Sequence, residues 1–436
     1  MSIFTHRLSD SPYYAKAIAW GKLITITGGA QILIQALSFV SSILIIRLLS
    51  VQEYALYTLA NTMLGTMIVL ADGGLSTGVS ALGVKVWQNP QKFGSVLSTG
   101  LSLRSYFIVG SLAGVIPLLL YLLHSHGASW LMSFFIMLAL VPAFTSGLAS
   151  TILQIPPRLH QDIGPLQKNQ VVANIGRLAF LLLTIFIFPF AFVVILVSGI
   201  PQIWANTKLR KISAQYADWS QKPDPAMRQE ILSIVKRILP GSLYYCFSGQ
   251  ITIWLLSIFG TTAAIAQLGA LSRIAVVMTL FSVMFTTLVS PRFARIPIER
   301  GQYLLNRYLQ LVLGLIILCT SIVGVVWLFD DQVVWILGKE YSNLKFEVLL
   351  SALSACLAFI VGACHSMCTN RGWIVNPIIS IPVTIAAIAF GIVMFNVDSL
   401  RGVLILNIFT GVVEVLTYFV YTLYKFKHEM FKFDNV

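Results

Sequence analysis

The sequence predicts an all-α polytopic membrane protein with about twelve transmembrane helices in two six-helix bundles. Composition gives the first two observations behind this prediction. Of the 436 residues, 57% are hydrophobic and only 10% are charged, whereas soluble domains carry roughly 25% charged residues. The mean hydropathy is +0.84. A chain with so few charges cannot present a polar surface to water, so we expect lipid to surround most of it.

The third observation is the spacing of the apolar segments. A spanning helix needs about 20 mostly apolar residues, and such segments follow one another along the whole chain. We predict spans at 23–46, 54–82, 95–123, 130–153, 168–187 and 189–207, and then at 231–258, 263–289, 304–328, 345–368, 374–395 and 401–424.

The connections between these spans define the predicted domains. The longest, residues 208–230, is basic and contains two prolines, so we interpret it as a cytoplasmic linker between the bundles. The N-terminal bundle then covers 23–207 and the C-terminal bundle 231–424. Residues 1–22 form a cytoplasmic N-terminus without the features of a cleavable signal, and residues 425–436 form a cytoplasmic tail.

Lysine and arginine residues set the predicted orientation. With the N-terminus inside, 22 of the 29 basic residues fall in inner segments and four in outer ones. This bias follows the positive-inside rule and supports both the helix count and cytoplasmic termini. The net charge of +13 is therefore an orientation signal, and we predict no nucleic-acid partner.

A weak internal repeat relates the two halves. Gly28 and Gly29 follow the basic flank of the first span, and Pro240 and Gly241 occupy a similar place in the seventh, at an offset of 240 − 28, or 212 residues. Six is an even number, so the halves have the same orientation and are related by a pseudo-two-fold axis along the membrane normal. Matching helix breakers of this kind often mark the site-forming helices of transporters.

Three arginines lie deep inside predicted spans, which is costly unless they face protein or water. Arg104, Arg177 and Arg273 each lie about ten residues from the end of a span, roughly 14 Å deep at 1.5 Å per residue. We interpret them as substrate-binding residues of a central cationic cavity that attracts an anion, since guanidinium groups pair well with phosphate. The alternative is that they pair with Asp72, Glu414 or backbone carbonyls and pin helices together.

The other charged candidates have more than one interpretation. Asp72 in the second span and Glu414 in the twelfth are candidates for gating, ion pairing or coupling to H⁺ or Na⁺. Lys236 and Arg237 lie at the predicted cytoplasmic mouth of the second bundle, where they either fix topology and contact lipid headgroups or recruit an anionic substrate. We predict no metal site, no catalytic residue and no cofactor other than a coupling ion.

Motifs for enzymatic chemistry are missing from the sequence. There is no GxxxxGK[ST] phosphate-binding loop and no HExxH metal motif. The longest loop is far below the roughly 50 residues of a small domain, so a glycosyltransferase or a polymerase with a large outer loop is disfavoured. The remaining function is passage of a solute across the bilayer.

Two short segments resemble a known family. Residues 46–57, IRLLSVQEYALY, resemble the turn between the first two spans of polysaccharide flippases of the O-antigen type, in the multidrug/oligosaccharidyl-lipid/polysaccharide exporter superfamily, although Ala55 replaces their usual glycine. Residues 70–76, LADGGLS, are similar to the family's D-x-G-L segment. The number of spans, the linker and the inner termini fit this family along the whole chain.

The resemblance implies a function and a mechanism. The cargo of such flippases is an oligosaccharide linked to undecaprenyl pyrophosphate, carried from the inner to the outer leaflet of the bacterial inner membrane by alternating access. Expected partners are this lipid-linked oligosaccharide, membrane lipids and other polysaccharide assembly proteins. Related lipid II flippases place an arginine on the eighth span, where Arg273 lies here. The alternatives are a drug or cation exporter of the same superfamily and, less favoured, a membrane-embedded glycan polymerase or ligase.

Overall fold

The computed structural model describes residues 12–294, 296–297, 301–371, 373, 375 and 377–433. Residues 1–11 of the predicted N-terminus and 434–436 of the predicted tail lie outside these ranges. The helices are α1 Pro12–Leu48, α2 Val51–Asp72, α3 Leu75–Val86, α4 Pro90–Ser125, α5 Trp130–Leu153, α6 Ile155–Leu159, α7 Ile163–Ile185, α8 Ala191–Ser213, α9 Pro225–Phe259, α10 Thr262–Leu271, α11 Ala275–Met284, α12 Ser290–Ala294, α13 Gly301–Leu328, α14 Asp330–Leu337, α15 Lys345–Asn370, α16 Pro377–Met394 and α17 Leu400–Phe433.

The predicted all-α polytopic fold class is confirmed. Ten helical segments of the described chain are long and apolar enough to cross a membrane. The two remaining predicted spans correspond to α7, which has 23 residues, and to α16, which has 18. Helix α7 carries several amide side chains, which lower its hydropathy.

The second predicted span is interrupted. Helix α2 ends at Asp72, and Gly73 and Gly74 take φ values of +50° and +87°, a left-handed conformation that glycine adopts without strain. A Cβ atom on Gly74 would lie 2.8 Å from Cγ2 of Ile238. Close packing against α9 and the backbone turn therefore both require glycine at this position.

The eighth predicted span is interrupted twice. Helix α10 ends at Leu271 and α11 begins at Ala275, with i→i+3 backbone bonds between them, such as the 3.1 Å bond from Arg273 N to Ala270 O. A π-helical turn, Phe285–Val289, then separates α11 from α12. This turn begins 285 − 73, or 212, residues after Gly73, which equals the offset of the sequence repeat. Both halves therefore carry an irregularity at the matching place in their second span.

Packing divides the chain into two units. The first unit comprises the residues up to Ser41 together with Ala60–Cys246, and the second comprises Ser42–Leu59 together with Phe247 onward. The second unit thus includes the turn between the first two predicted spans, and the first unit includes the start of the seventh predicted span. The domain boundaries at 208–230 stay a prediction; helices α8 and α9 leave residues 214–224 between them.

Each unit has its own apolar core. Leu75, Phe93, Leu97, Ile152 and Ile231 are among the buried residues of the first core. The second is built around α13, α15 and α17 and includes Tyr308, Phe359 and Met367. Large apolar side chains also remain exposed, for example Leu183 at 70% and Val393 at 84%, as expected for helices whose outer faces contact lipid.

Candidate functional site

Arg104 is held inside the first unit by three different acceptors. Its Nη2 donates to Oδ1 of Asp72 and to Oγ1 of Thr151, each at 2.8 Å. Its Nη1 donates to the backbone carbonyl of Leu148. The side chain of Arg104 is 3% exposed and that of Asp72 is 19% exposed. This arginine therefore connects α4 and α5 to the end of α2.

Asp72 is engaged on both carboxylate oxygens. Oδ1 accepts from Arg104, and Oδ2 accepts from the hydroxyl of Ser76 at 2.7 Å. Because Ser76 belongs to α3, Asp72 bridges the break at Gly73–Gly74. These contacts favour the structural interpretation for the pair, which the sequence left open. A substrate-binding role for Arg104 and a coupling role for Asp72 stay predictions.

The other predicted site residues differ in their burial and in the helix that carries them. Arg177 is half-buried on α7 in the first unit. Lys236 and Arg237 are exposed on α9. Glu414 is half-buried on α17 in the second unit, beside the hydroxyl of Thr384 on α16. Within the described residues, none of the four ion pairs includes Glu414.

Arg273 lies at the break between α10 and α11, and the packing of α10 determines what it contacts. A Cβ atom on Gly269 would lie only 2.4 Å from Oγ1 of Thr58, so glycine permits α10 to approach the first turns of α2 closely. Residues four apart share a helix face. Arg273 therefore lies on the same side of the chain as Gly269, and its side chain reaches Tyr54 and Tyr57, which are close to Thr58 on α2.

The two tyrosines, Tyr54 and Tyr57, are 0% and 3% exposed. Both hydroxyl groups interact electrostatically with the guanidinium of Arg273, and the two rings lie 5.9 Å apart between centroids. The alignment is imperfect, since Oη of Tyr54 and Nε of Arg273 are both buried without a hydrogen bond to the described residues. We call Tyr54, Tyr57 and Arg273 the arginine–tyrosine cluster.

The charge of this cluster is not neutralised. No carboxylate of the described chain forms an ion pair with Arg273. A guanidinium offers five N–H donors, and Nε of Arg273 has no hydrogen-bond partner among the described residues. The backbone N–H groups of residues 272–277 all donate to backbone carbonyls, so the side chain of Arg273 supplies the free donors. The arrangement is therefore suited to a phosphate or carboxylate.

Sequence reasoning identified Arg273 but missed its two tyrosines. Tyr54 and Tyr57 lie in residues 46–57, the segment that resembles the flippase family. The signal was present, but only the close approach at Gly269 shows that this part of the chain is in contact with the part around Arg273.

Comparison with known proteins supports the fold. No protein-family model and no curated protein sequence matches the chain. Among solved structures, "Lipid II flippase MurJ, inward closed conformation" has a TM-score of 0.73 at 14% identity, over 92% of this chain and 87% of that one. An inward-facing "multidrug resistance MATE family transporter of the MOP superfamily" has a TM-score of 0.70 at 14% identity, over 91% and 95%.

A third structure of this fold comes from Pyrococcus furiosus. Its description reads "Reverse polarity of binding pocket suggests different function of a MOP superfamily transporter", and it matches with a TM-score of 0.61 at 14% identity, over 94% of this chain and 96% of that one. Identities at this level establish the fold alone. The chain therefore has the helical transporter fold that MATE transporters and the lipid II flippase share within the MOP superfamily.

Proposed function

We propose that this protein is a flippase that carries an undecaprenyl-pyrophosphate-linked oligosaccharide from the inner to the outer leaflet of the bacterial inner membrane. The observation behind this proposal is the arginine–tyrosine cluster, in which a buried guanidinium has no carboxylate partner among the described residues. Such a group favours an anionic cargo over a cationic one. The likeness to a lipid II flippase provides the fold for that activity.

The chemistry of the cargo fits an arginine-based site. A pyrophosphate and hydrophilic sugars lose their hydration when they cross hydrocarbon, and this costs several kcal/mol per group without replacement contacts. Arg273 supplies charge-assisted hydrogen bonds to the pyrophosphate, while the polyprenyl tail stays in the bilayer. Alternating access, cytoplasmic termini and contacts with other polysaccharide assembly proteins belong to the same proposal.

Coupling to H⁺ or Na⁺ is assigned to Glu414. Asp72 is neutralised by Arg104, whereas Glu414 has no cationic partner among the described residues and lies beside the hydroxyl of Thr384. An ionisable group within a span and without a group of opposite charge beside it is a candidate for ion movement. Glu414→Gln should slow transport at a given ion gradient and leave equilibrium binding of the cargo unchanged.

The test is transport by the purified full chain in liposomes that contain lipid-linked oligosaccharide, with variants at the cluster. We expect Arg273→Gln to reduce the flipping rate at least about tenfold, equivalent to roughly 1.4 kcal/mol of lost interaction. Arg273→Lys should rescue only part of the rate, because lysine lacks the bidentate fork. The matched control is Arg307→Gln, which removes an exposed arginine. Full transport by Arg273→Gln would refute the role of the cluster.

A drug or cation exporter is the second candidate, favoured by the fold similarity to MATE transporters. Such an exporter should favour acids in its cavity; Asp72 is already paired with Arg104, which leaves Glu414 as the acid available to a cationic cargo. The phenotype of cells that lack the protein distinguishes the two functions. Accumulation of lipid-linked oligosaccharide on the inner leaflet supports the flippase. Increased drug sensitivity without such accumulation supports the exporter.

A further inference from the structure

The first unit contains a cavity of about 330 Å³ that the arginine–tyrosine cluster does not touch. Helices α1, α5, α7 and α8 and the residue after α5 enclose it. The polar side chains in its lining are five amides and one hydroxyl, and no charged side chain is among them: Ser150, Gln154, Asn169, Gln170, Asn174 and Gln202. We call it the amide cavity.

Asn169 places an unsatisfied acceptor at this cavity. Its Nδ2 donates to the backbone carbonyl of Ala205 at 2.9 Å. A carbonyl only accepts hydrogen bonds, so this contact fixes the orientation of the amide. Oδ1 is then left buried without a partner among the described residues, and the residue is only 8% exposed. A buried acceptor without a partner is unfavourable, which indicates that a ligand donates to it.

The same reasoning orients Gln202. Nδ2 of Asn206 donates to the carbonyl of Ser146 at 2.7 Å, so Oδ1 of Asn206 is the acceptor for Nε2 of Gln202 at 3.3 Å. This leaves Oε1 of Gln202 as a second acceptor at the cavity.

Gln154 contributes a donor. Its Oε1 accepts from Nη2 of Arg158, and a guanidinium only donates. Nε2 of Gln154 therefore remains available. Gln170 adds a whole amide, since its side chain has no hydrogen bond to the described residues while its backbone carbonyl accepts from Asn174 at 2.9 Å. The cavity thus offers both donors and acceptors.

This combination selects the ligand chemistry. A phosphate or carboxylate uses donors only, and two amide oxygens would repel it. A hard cation uses oxygen ligands only, and the N–H groups of Gln154 and Gln170 would face it. A sugar hydroxyl is both donor and acceptor. The volume is at the small end of ligand pockets, roughly 300–1,000 Å³, and suits a single sugar residue.

We propose that the amide cavity binds one uncharged sugar residue through its hydroxyl groups. The assignment of this residue to the transported oligosaccharide rests on the proposed function, in which Arg273 binds the pyrophosphate. Sugar binding itself follows from the lining and is independent of transport.

The test is binding of free monosaccharides to the purified full chain in lipid nanodiscs, by saturation-transfer NMR. The probes are glucose, galactose, N-acetylglucosamine and N-acetylgalactosamine. We expect at least one to bind saturably at millimolar concentration and to compete with another of the set. Asn169→Leu and Gln170→Leu should weaken this binding at least about tenfold.

Gln170→Leu keeps the test valid if Asn169→Leu does not fold, because the Gln170 side chain makes no hydrogen bond that the fold needs. The matched control is Gln215→Leu, an exposed glutamine beyond α8, which should bind as the unaltered protein does. Absence of saturable binding, or binding that both cavity variants retain, would overturn the proposal. So would selective stabilisation by sodium over potassium that Asn169→Asp strengthens.

Transport assays separate this inference from the proposed function. If free sugars bind and the cavity variants abolish that binding, but no lipid-linked oligosaccharide crosses the bilayer, the sugar site stands and the flippase fails. If the oligosaccharide is transported without sugar binding, the flippase stands and the sugar site is wrong.

Discussion

Contacts of single residues distinguish the two interpretations of a buried arginine, substrate binding and internal pairing. Arg104 shares its guanidinium among Asp72, Thr151 and a carbonyl, whereas Arg273 faces two phenols. Removing one partner of a buried ion pair typically costs 3–5 kcal/mol, because the other charge stays buried and unpaired.

Arg104→Gln tests this account of the first arginine. We expect it to destabilise the protein by about 3 kcal/mol, somewhat less than a fully buried pair because Asp72 is partly exposed. Arg104→Gln combined with Asp72→Asn should recover most of that loss, and the double variant should transport at a near-normal rate. Thermal unfolding in detergent and liposome transport measure both quantities. A stable double variant without transport would instead assign Arg104 to the cargo.

Tyr216, beyond the end of α8, provides a pH-dependent prediction. Its hydroxyl donates to Oδ2 of Asp162 at 2.7 Å, and this hydrogen bond, with some burial, raises the pKa of Tyr216 to about 12 from 10.0. The raised pKa means that the stabilisation is complete below about pH 10 and is lost as the pH rises through about 12. Because the pair is partly exposed, we expect Tyr216→Phe to cost no more than about 1 kcal/mol. The difference in unfolding temperature between the two proteins should vanish above about pH 12. A difference that stays constant with pH would contradict this account of the hydrogen bond.

Helices α10 and α2 approach each other closely at Gly269 and Thr58. Gly269→Ala would place its Cβ 2.4 Å from Oγ1 of Thr58, so one helix has to move. Overpacking of this kind costs about 1–3 kcal/mol, and we expect a matching loss of transport because Arg273 is displaced from Tyr54 and Tyr57.

A compensating change distinguishes this contact from a general effect. Thr58→Ala removes the clashing atoms, so Gly269→Ala with Thr58→Ala should regain stability and transport. The matched control is Gly314→Ala on α13, where a Cβ would meet nothing within 4 Å; it should be neutral or stabilising. Equal losses in both glycine variants, measured by thermal unfolding, would show that the close approach is unimportant.

The distribution of basic residues predicts the orientation of the whole chain in the membrane. Cysteine labelling can measure that orientation. All five cysteines are buried, so the unaltered chain should react little with a membrane-impermeant thiol reagent. Ser125→Cys, in a predicted outer loop, should react in intact cells. Ser220→Cys, in the predicted inner linker, should react only after the membrane is opened. The reverse pattern would invert the topology.

Much of the fold could be predicted from the sequence because hydropathy is a local property. Twenty apolar residues specify a spanning helix wherever they occur, so the spans and the fold class follow from counting. The interruptions at Gly73–Gly74 and at residues 272–274 were harder to predict. Apolar residues resume on the far side of both, so the spans look continuous, and only backbone geometry and close packing reveal the interruptions.

The candidate site was predicted in part. Arg104, Arg177, Arg273, Asp72 and Glu414 were identifiable because a charge within an apolar segment is conspicuous. The amide cavity was not identified, because asparagine and glutamine lower hydropathy only slightly and give no charge signal. The feature of the sequence that could have indicated the cavity is the cluster of asparagine and glutamine residues near the start of α7.

Composition of contiguous segments was enough to predict about how many spans this protein has, that lipid surrounds them, and which charges lie within them. Which buried charge is neutralised depends instead on contacts between distant helices. Asp72 and Arg104 are 32 positions apart, and Arg273 is more than 200 positions from Tyr54. Whether an arginine meets a carboxylate or a phenol depends on which helix faces it, and that is set by the packing of side chains between helices distant in the chain.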